Sequence, residues 1–203
     1  MTPTSLAAGQ SIYQIDGDVR INGIKATQNT AIKQGDTVET DENSFAIFVV
    51  NKDAFILRSN STLSLPAQTK AASSPNAFNL TRGRALSVLA SRKTRITTPS
   101  AVIGIRGTGV YIEVEPERSY VCTCYGTVDL ATSDDPSINE TIQAQHHDDP
   151  RYILADKNQR NRIQPAPFKD HDDQELLLIE TLVGRTTPYV VPKSLTRSRR
   201  RYY

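Results

Sequence analysis

The sequence predicts a mainly β protein, an antiparallel β-sandwich or β-roll with one C-terminal helix. The first 130 residues consist of short alternating or β-branched runs, which are typical of strands. Turn-favouring residues such as Asp16-Gly17 and Asn22-Gly23 separate these runs. A helical pattern stands out only at about 171–183. Strands that follow one another at this spacing without intervening helices favour an antiparallel sandwich or roll.

Nine segments carry the strand pattern. They are Ser11–Ile15, Asp18–Ile21, Ser44–Val50, Ala54–Leu57, Arg84–Leu89, Arg95–Thr97, Thr108–Glu115, Ser119–Tyr125 and Thr127–Ala131. Residues Pro66–Asn79 are rich in Ala, Ser and Pro and predict a loop between two β-rich halves. Each half is too short to fold comfortably by itself, so we treat residues 1–131 as one β domain.

Residues 132–192 predict a C-terminal extension that packs its one helix on the β domain. Either Asp170 or Asp172 is suited to cap the helix, and Gly184 is suited to end it. The apolar stripe of this helix comprises Leu176, Leu177, Ile179, Leu182 and Val183. We expect one buried face and one solvated face.

Composition and charge exclude several classes of protein. The 203 residues are 37% hydrophobic, which suits one domain with a packed core, and two cysteines cannot form a disulfide framework. No apolar run approaches 18 residues, so we expect no membrane span in this chain. Residues 193–203 carry five of the 24 basic residues and no acid, which leaves residues 1–192 with 19 basic and 22 acidic residues, a net charge of −3. We therefore expect a basic flexible tail and no specific nucleic-acid binding.

Two cysteines lie two residues apart in a predicted strand. Alternation places Cys122 and Cys124 on one face of the strand and Thr123 on the other. A disulfide between them would be strained, because their Cα atoms lie near or beyond the limit of about 6.8 Å. Two parallel thiolates are instead suited to one soft or borderline metal ion.

Three histidines follow the cysteine pair and are candidates to complete a four-coordinate site. His146, His147 and His171 come 22, 23 and 47 residues after the second cysteine. In an extended segment His146 and His147 point in opposite directions, so only one of them is expected to reach a given ion. His171 is expected at the first turn of the terminal helix, where it can face the β domain.

Three interpretations of the cysteines and histidines stay open. We favour two structural cysteines in a core strand with histidines at the surface. The alternative is a metal site made of Cys122, Cys124, one of His146 and His147, and His171, holding zinc, copper or an iron–sulfur cluster. The third is redox exchange through a strained disulfide. The cofactor, one metal ion or cluster if any, is therefore unknown at this point.

The segment Gly104–Gly109 has the order GxxGxG, which is not a phosphate-binding loop, because a strand rather than a helix follows it. We expect a sharp turn between strands, with Arg106 at its apex placed to bind an acidic partner.

The sequence contains no credible catalytic set. Adjacent acids occur at Asp134-Asp135, Asp148-Asp149 and Asp172-Asp173, and we interpret all three pairs as solvated loop residues. A nucleophile elbow of the GxSxG type is absent. We therefore predict that the protein is not an enzyme. The alternative, an enzyme that acts on carbohydrate or peptide, is supported only by these dispersed carboxylates.

Six segments in a fixed order resemble the FecR domain over roughly residues 10–131. They are Gly35–Thr40, Ser44–Phe48, Phe55–Leu63, Leu80–Val88, Ile96–Gly104 and Arg106–Tyr111. The resemblance implies an all-β, extracytoplasmic bacterial module. Signalling members of the family relay a transport signal from an outer-membrane receptor to a sigma factor. The sequence shows no counterpart of their cytoplasmic anti-sigma helices or membrane helix, and it adds the cysteine strand and the histidine-bearing extension.

The resemblance leads to two functional expectations. The first is a non-catalytic periplasmic FecR-like module that senses or binds, with a protein partner in the bacterial envelope. The second is a metal-binding redox or electron-transfer protein that uses the Cys/His site. Residues 1–9 lack the charged start and apolar core of a secretory signal, although Leu6–Gly9 resembles the small residues beside a cleavage site. We therefore expect an exported mature chain, or a cytoplasmic protein if Met1 is native.

Overall fold

The computed structural model describes Leu6, residues 10–67 and residues 76–190, and it contains a mixed, mostly antiparallel sheet and one helix. The strands are β1 Ile12–Asp16, β2 Val19–Ile21, β3 Ile24–Lys25, β4 Thr37–Thr40, β5 Phe45–Val50, β6 Asp53–Leu57, β7 Ser61–Ser64, β8 Asn76–Val88, β9 Lys93–Thr97, β10 Ala101–Glu115, β11 Arg118–Thr132, β12 Asn139–Ala144, β13 Arg151–Leu154 and β14 Ile163–Pro165. The helix α1 is Asp173–Leu182. The predicted fold class is confirmed.

Three long strands, β8, β10 and β11, connect the parts of the sheet. The second half of β8 pairs with β6 and β10, whereas its first half pairs with β7 and, in parallel, with β9. The β10–β11 hairpin likewise carries β9 and β12 on one half and β8 and β13 on the other. A long strand that changes partners must bend, and register shifts in β10 between Arg106 and Val110 mark such a bend.

The sheet buries apolar side chains on both faces, because alternate residues of the central strands enter two different clusters. In β5, for example, Phe48 belongs to the larger cluster, while Ile47 belongs to the cluster that α1 covers. Leu176 and Ile179 of α1 are fully buried in that second cluster. The helix therefore closes one face of the sheet, which is the face that carries the cysteines.

The ends of α1 follow from local chemistry. Asp172 is the N-cap, and its side chain accepts hydrogen bonds from the backbone N–H groups of Gln174 and Glu175. The Glu175 carboxylate in turn accepts the backbone N–H of Asp172, which completes a capping box. Gly184 follows the C-cap with a φ of 71°, a left-handed conformation that glycine adopts without strain. The predicted helix is confirmed to within two residues at each end.

Two sequence-based expectations were wrong in detail. The segment Gly104–Gly109 does not turn the chain: it lies inside the continuous strand β10, where it forms the bend. Glycine explains this, because Gly107 adopts a φ of 64° and the ring of Tyr125 lies where a β-carbon on Gly109 would stand. The predicted loop at 66–79 is too long, because β8 begins at Asn76. Residues 68–75 of this predicted loop lie outside the described residues.

The C-terminal extension contributes more than its helix. The strands β12, β13 and β14 all follow residue 131, and they pair with β11 or with one another. The alternation of buried Ile142 and Ala144 with exposed polar residues is the strand signal in β12. The division into 1–131 and 132–192 stays a prediction, and the basic tail at 193–203 lies outside the described residues. Among the described residues, no helix has the length and apolar character needed to cross a membrane.

Candidate metal centre

The two cysteines lie side by side on the helix-covered face of β11. Cys122 and Cys124 are both free thiols with no exposed surface. Residues two apart in a strand share a face, so both side chains enter the cluster beneath α1. On the neighbouring strand, Tyr111 is the direct partner of Cys122.

A turn after β12 brings His147 to the cysteines. The backbone N–H of His147 donates to the carbonyl of Cys124 at 2.9 Å, so the turn is fastened to the cysteine strand. His147 has a φ of 54° and Asp149 has a φ of 50°, left-handed conformations that are uncommon outside glycine. The carboxylate of Asp148 accepts the N–H groups of Gln145 and His146, which stabilises the turn. The Nδ1 atom of His147 lies 4.0 Å from the Sγ atom of Cys122.

His171 reaches the same point from the segment before α1. It immediately precedes the N-cap rather than lying in the first turn, and it is buried. Its ring stacks on the ring of Tyr111 at 4.6 Å with an angle of 17° between the planes. Its Nε2 atom lies 3.0 Å from Nδ1 of His147. One sulfur or nitrogen atom from each of Cys122, Cys124, His147 and His171 lies within 4.8 Å of the others.

Hydrogen bonds on the far side of each imidazole determine which ring nitrogen faces the cysteines. Nδ1 of His171 lies 2.8 Å from the carbonyl of Lys169, and this oxygen can only accept, so Nδ1 carries the proton. Nε2 of His147 lies 2.9 Å from Oδ1 of Asp173, which likewise accepts. Two ring nitrogens with lone pairs are therefore directed toward the sulfur atoms. Histidines that ligate metals are oriented in this way by carbonyls and carboxylates.

Burial and neighbouring charges separate the two thiols. The pKa of Cys122 is lowered to about 4 despite burial. The largest cause is a hydrogen bond from the Cys124 thiol to the Cys122 thiolate, and the imidazoles of His147 and His171 contribute further hydrogen bonds. Burial, together with that adjacent thiolate, raises the pKa of Cys124 far above its ordinary value. Two buried thiolates repel each other, so both can ionise only if a cation compensates them.

The histidine and aspartate next to the cluster also shift each other. Burial would lower the pKa of His147, but Cys122 and Asp173 outweigh it, and the pKa is raised. Burial would raise the pKa of Asp173, but His146 and His147 outweigh it, and the pKa is lowered. The order Cys122, His147, Asp173 is also that of a nucleophilic triad. A fully buried sulfur cannot meet a substrate carbonyl, so the arrangement favours ligand binding over nucleophilic catalysis.

The structure corrects two expectations about neighbouring residues. His146 and His147 do not point in opposite directions, since both ring Nε2 atoms contact Oδ1 of Asp173, because the segment is a turn rather than extended. Only His147 joins the cysteines and His171. The pair Asp172-Asp173 is not simply solvated, because Asp172 caps α1 and Asp173 is buried at 8% exposure beneath the histidines. The sequence signal that would have revealed Asp173 was its position in the first helical turn beside His171.

Arg106 lies apart from this cluster, on an exposed polar part of the sheet. Its cross-strand partner is Lys93, and Arg95 stands opposite Gly104 on the same face. All three cations are exposed, and none of them forms an ion pair with an acid among residues 10–67 and 76–190. They line a groove of about 830 Å³ whose lining also includes Asp129, the partner of Gly104 on β11.

Comparisons with known proteins agree with this architecture. The family model described as "FecR protein" matches residues 36–129. Two crystal structures of a "putative anti-sigma factor" from Parabacteroides distasonis ATCC 8503 resemble this chain, each with a TM-score of 0.52 and 12% identity. Each similarity covers 69% of this chain and 62% of the other, and at this identity it concerns the fold alone. A search of curated proteins gave no significant match. Residues 36–129 of this chain are therefore similar to the FecR family.

Proposed function

We propose that this protein is a non-catalytic sensing module of the bacterial periplasm that engages a protein partner in the envelope. The observation that carries the proposal is the similarity of residues 36–129 to the FecR family. Two solved structures with a similar fold are described as a "putative anti-sigma factor", a description that indicates a regulatory role. The buried cysteines, which no substrate can reach, support a role without catalysis.

The surface proposed for the partner is the basic part of the sheet around Arg106. Lys93, Arg95 and Arg106 present three positive charges on one face, while the body of the protein is mildly acidic. A cluster of exposed cations attracts an acidic surface and accelerates encounter with it. We therefore assign to this surface a protein partner with a complementary acidic patch.

Photo-crosslinking in the encoding bacterium tests this assignment. A photoreactive amino acid is placed at Gln143, which lies beside this basic surface on β12. The expected result is one discrete adduct that Arg106→Glu strongly reduces. Arg160→Glu, an equal charge change at an exposed residue outside the sheet, is expected to leave the adduct intact. No adduct, or an adduct insensitive to Arg106→Glu, would contradict the assignment. A reporter fusion active only after export tests the periplasmic location, and activity confined to the cytoplasm would exclude it.

A redox or electron-transfer role at the Cys/His cluster is the second candidate. The observation that favours it is the convergence of two thiols and two imidazoles in a buried place. A copper or iron centre there would colour the purified protein, and the colour would change on reduction. Untagged protein whose visible spectrum shows no band, and no change on adding a reductant, would exclude this role.

A further inference from the structure

We infer that Cys122, Cys124, His147 and His171 bind a single zinc ion that fastens the segment before α1 to the sheet. This inference goes beyond the partner-binding function and does not depend on it. In a tetrahedral zinc site the distances between ligand atoms are about 3.3 Å for two nitrogens and about 3.6 Å for nitrogen and sulfur, as follows from bonds of about 2.0–2.3 Å. The corresponding distances here are 3.0 Å and 4.0 Å, close to those values.

The compactness of the cluster favours one ion over an iron–sulfur cluster. In a two-iron centre with two cysteines and two histidines, the cysteines bind one iron and the histidines bind the other. The two pairs would then be separated by the additional distance between the irons and the bridging sulfides. All four donor atoms lie within 4.8 Å of one another instead, and Cys122 and His147 approach to 4.0 Å. Two sulfur and two nitrogen donors around one ion are typical of zinc.

The proton arrangement of the two imidazoles also calls for a proton or a metal ion between them. Because Nδ1 of His171 and Nε2 of His147 carry protons for Lys169 and Asp173, the two facing nitrogens present lone pairs to each other at 3.0 Å. Lone pairs at this distance repel unless a proton or a metal ion lies between them. A divalent ion also permits both buried thiols to release their protons, which leaves the ion and its ligands neutral overall.

The site is closed, as structural zinc sites are. The two cysteines are fully buried and the two histidines nearly so, while Tyr111 stacks on one imidazole and Phe168 packs against both. The four donors come from three places in the fold: β11, the turn after β12 and the segment before α1. A metal ion there connects the C-terminal extension to the sheet independently of the apolar packing of α1.

A second group of possible ligands overlaps the first and must be distinguished from it. His146, His147 and Asp173 also bring donor atoms together, and His146 is exposed. In that group one oxygen, Oδ1 of Asp173, is shared by both histidine rings at 2.8 and 2.9 Å. A carboxylate that already contacts Nε2 of both rings serves to orient His147, not to bind a metal beside it.

The test uses the full chain without a polyhistidine tag, purified under reducing conditions and freed of metal with a chelator. We expect one zinc ion per chain in competition with a chromogenic chelator. Cobalt(II) in the same site is expected to give the intense visible bands of tetrahedral thiolate coordination. A protein that binds less than about a tenth of an equivalent, or a cobalt spectrum without thiolate bands, would overturn the inference. Iron or copper retained in place of zinc, with a reducible visible spectrum, would overturn it in favour of the electron-transfer role.

Variants then assign the ligands. Cys124→Ser and His171→Asn are each expected to weaken zinc binding by at least about 100-fold, the upper end of what loss of an outer-sphere partner costs. His146→Asn is the discriminating variant and is expected to keep one-to-one binding. Loss of binding in His146→Asn with retention in Cys124→Ser would assign the ion to the other group and overturn the inference.

Folding of the variants is checked separately, because buried positions are changed. The far-ultraviolet circular dichroism of each metal-free variant is compared with that of the metal-free parent. If a variant does not fold, alkylation of the parent protein is measured instead of zinc binding by that variant. Zinc is expected to slow modification of both thiols by at least about tenfold. Equal rates with and without zinc, in folded protein with buried thiols, would contradict ligation by the cysteines.

Discussion

Asp173 is the residue that links the histidine-bearing turn to the helix. It occupies the first turn of α1, where the helix dipole favours an acid, and its carboxylate accepts from His147. This contact holds the His147 ring with Nδ1 toward Cys122, although Asp173 itself does not belong to the four-donor group. We therefore regard Asp173 as a positioning residue.

Asp173→Asn is expected to weaken zinc binding by about 10–100-fold while the stoichiometry stays at one ion per chain. The physical reason is that an amide oxygen is a weaker acceptor than a carboxylate, so His147 loses orientation and basicity. Competition with a chromogenic chelator measures the change. The control is Asp149→Asn, an exposed acid two residues beyond His147 at which asparagine tolerates the left-handed backbone.

A purely structural role for Asp173 would give a different result. The thermal unfolding temperature of the metal-free Asp173→Asn protein would then fall, and zinc affinity measured on the folded protein would match that of the parent. Equal affinity in the two aspartate variants would likewise refute the positioning role.

At the scale of elements, the sheet bends where glycine permits two strands to approach closely. Gly83 lies in β8 with a φ of 81°, near the point at which this strand changes partners. A β-carbon there would stand 2.5 Å from Cα of Ser61 and 2.6 Å from the carbonyl oxygen of Asn60. Backbone atoms cannot move aside as a flexible side chain can, so the close approach requires glycine.

Gly83→Ala is expected to destabilise the protein more than Gly23→Ala does. Gly23 has a similar φ of 78° but nothing within 4 Å of the added carbon, so both variants incur the left-handed penalty of about 1–2 kcal/mol and only one adds a clash. The difference in the free energy of unfolding is expected to be about 1–3 kcal/mol, the usual range for overpacking. Urea unfolding of both variants measures it, and equal midpoints would show that β8 relaxes freely at this bend.

The sequence predicted those elements whose signal is local. Alternation and turn residues located β5 and β6, and capping residues with an apolar stripe located α1. The sequence does not predict the bend in β10, because glycines inside a bent strand look the same in sequence as glycines in a turn. The bend is distinguished from a turn only by the pairing of β10 with β11 on both sides of it. The approach of His147 to Cys122 was likewise not predictable in detail, since it depends on a left-handed turn and on long-range strand pairing.

At the scale of the whole molecule, the two halves of the β10–β11 hairpin carry different chemistry. On one side of the bend, Arg106 and its neighbours on β9 form the exposed basic surface proposed for a partner. On the other side, Tyr111 pairs with Cys122 beneath the C-terminal extension. A charge change at Arg106 therefore alters no donor atom of the cluster, and the two proposals are separable by mutation.

Zinc is expected to protect the C-terminal extension from local opening more than it protects the rest of the molecule. A ligand that binds only the closed form stabilises that form by RT ln(1 + [L]/Kd), about 2.7 kcal/mol at a free zinc concentration of 100 times Kd. Opening of the segment before α1 would separate His171 from the cysteines, so this stabilisation applies to the amides of α1 and of the turn at 145–149. Strands β2 and β4 contain none of the four ligand residues, so they can open without releasing zinc. Their amide hydrogens are expected to exchange at nearly unchanged rates under native conditions. Hydrogen–deuterium exchange with and without zinc measures all of these segments together, with Cys124→Ser as the control that should show no zinc effect. Uniform slowing across β2, β4 and α1 would mean that the molecule opens only as a whole, and no slowing at α1 would mean that the ion does not fasten the extension to the sheet.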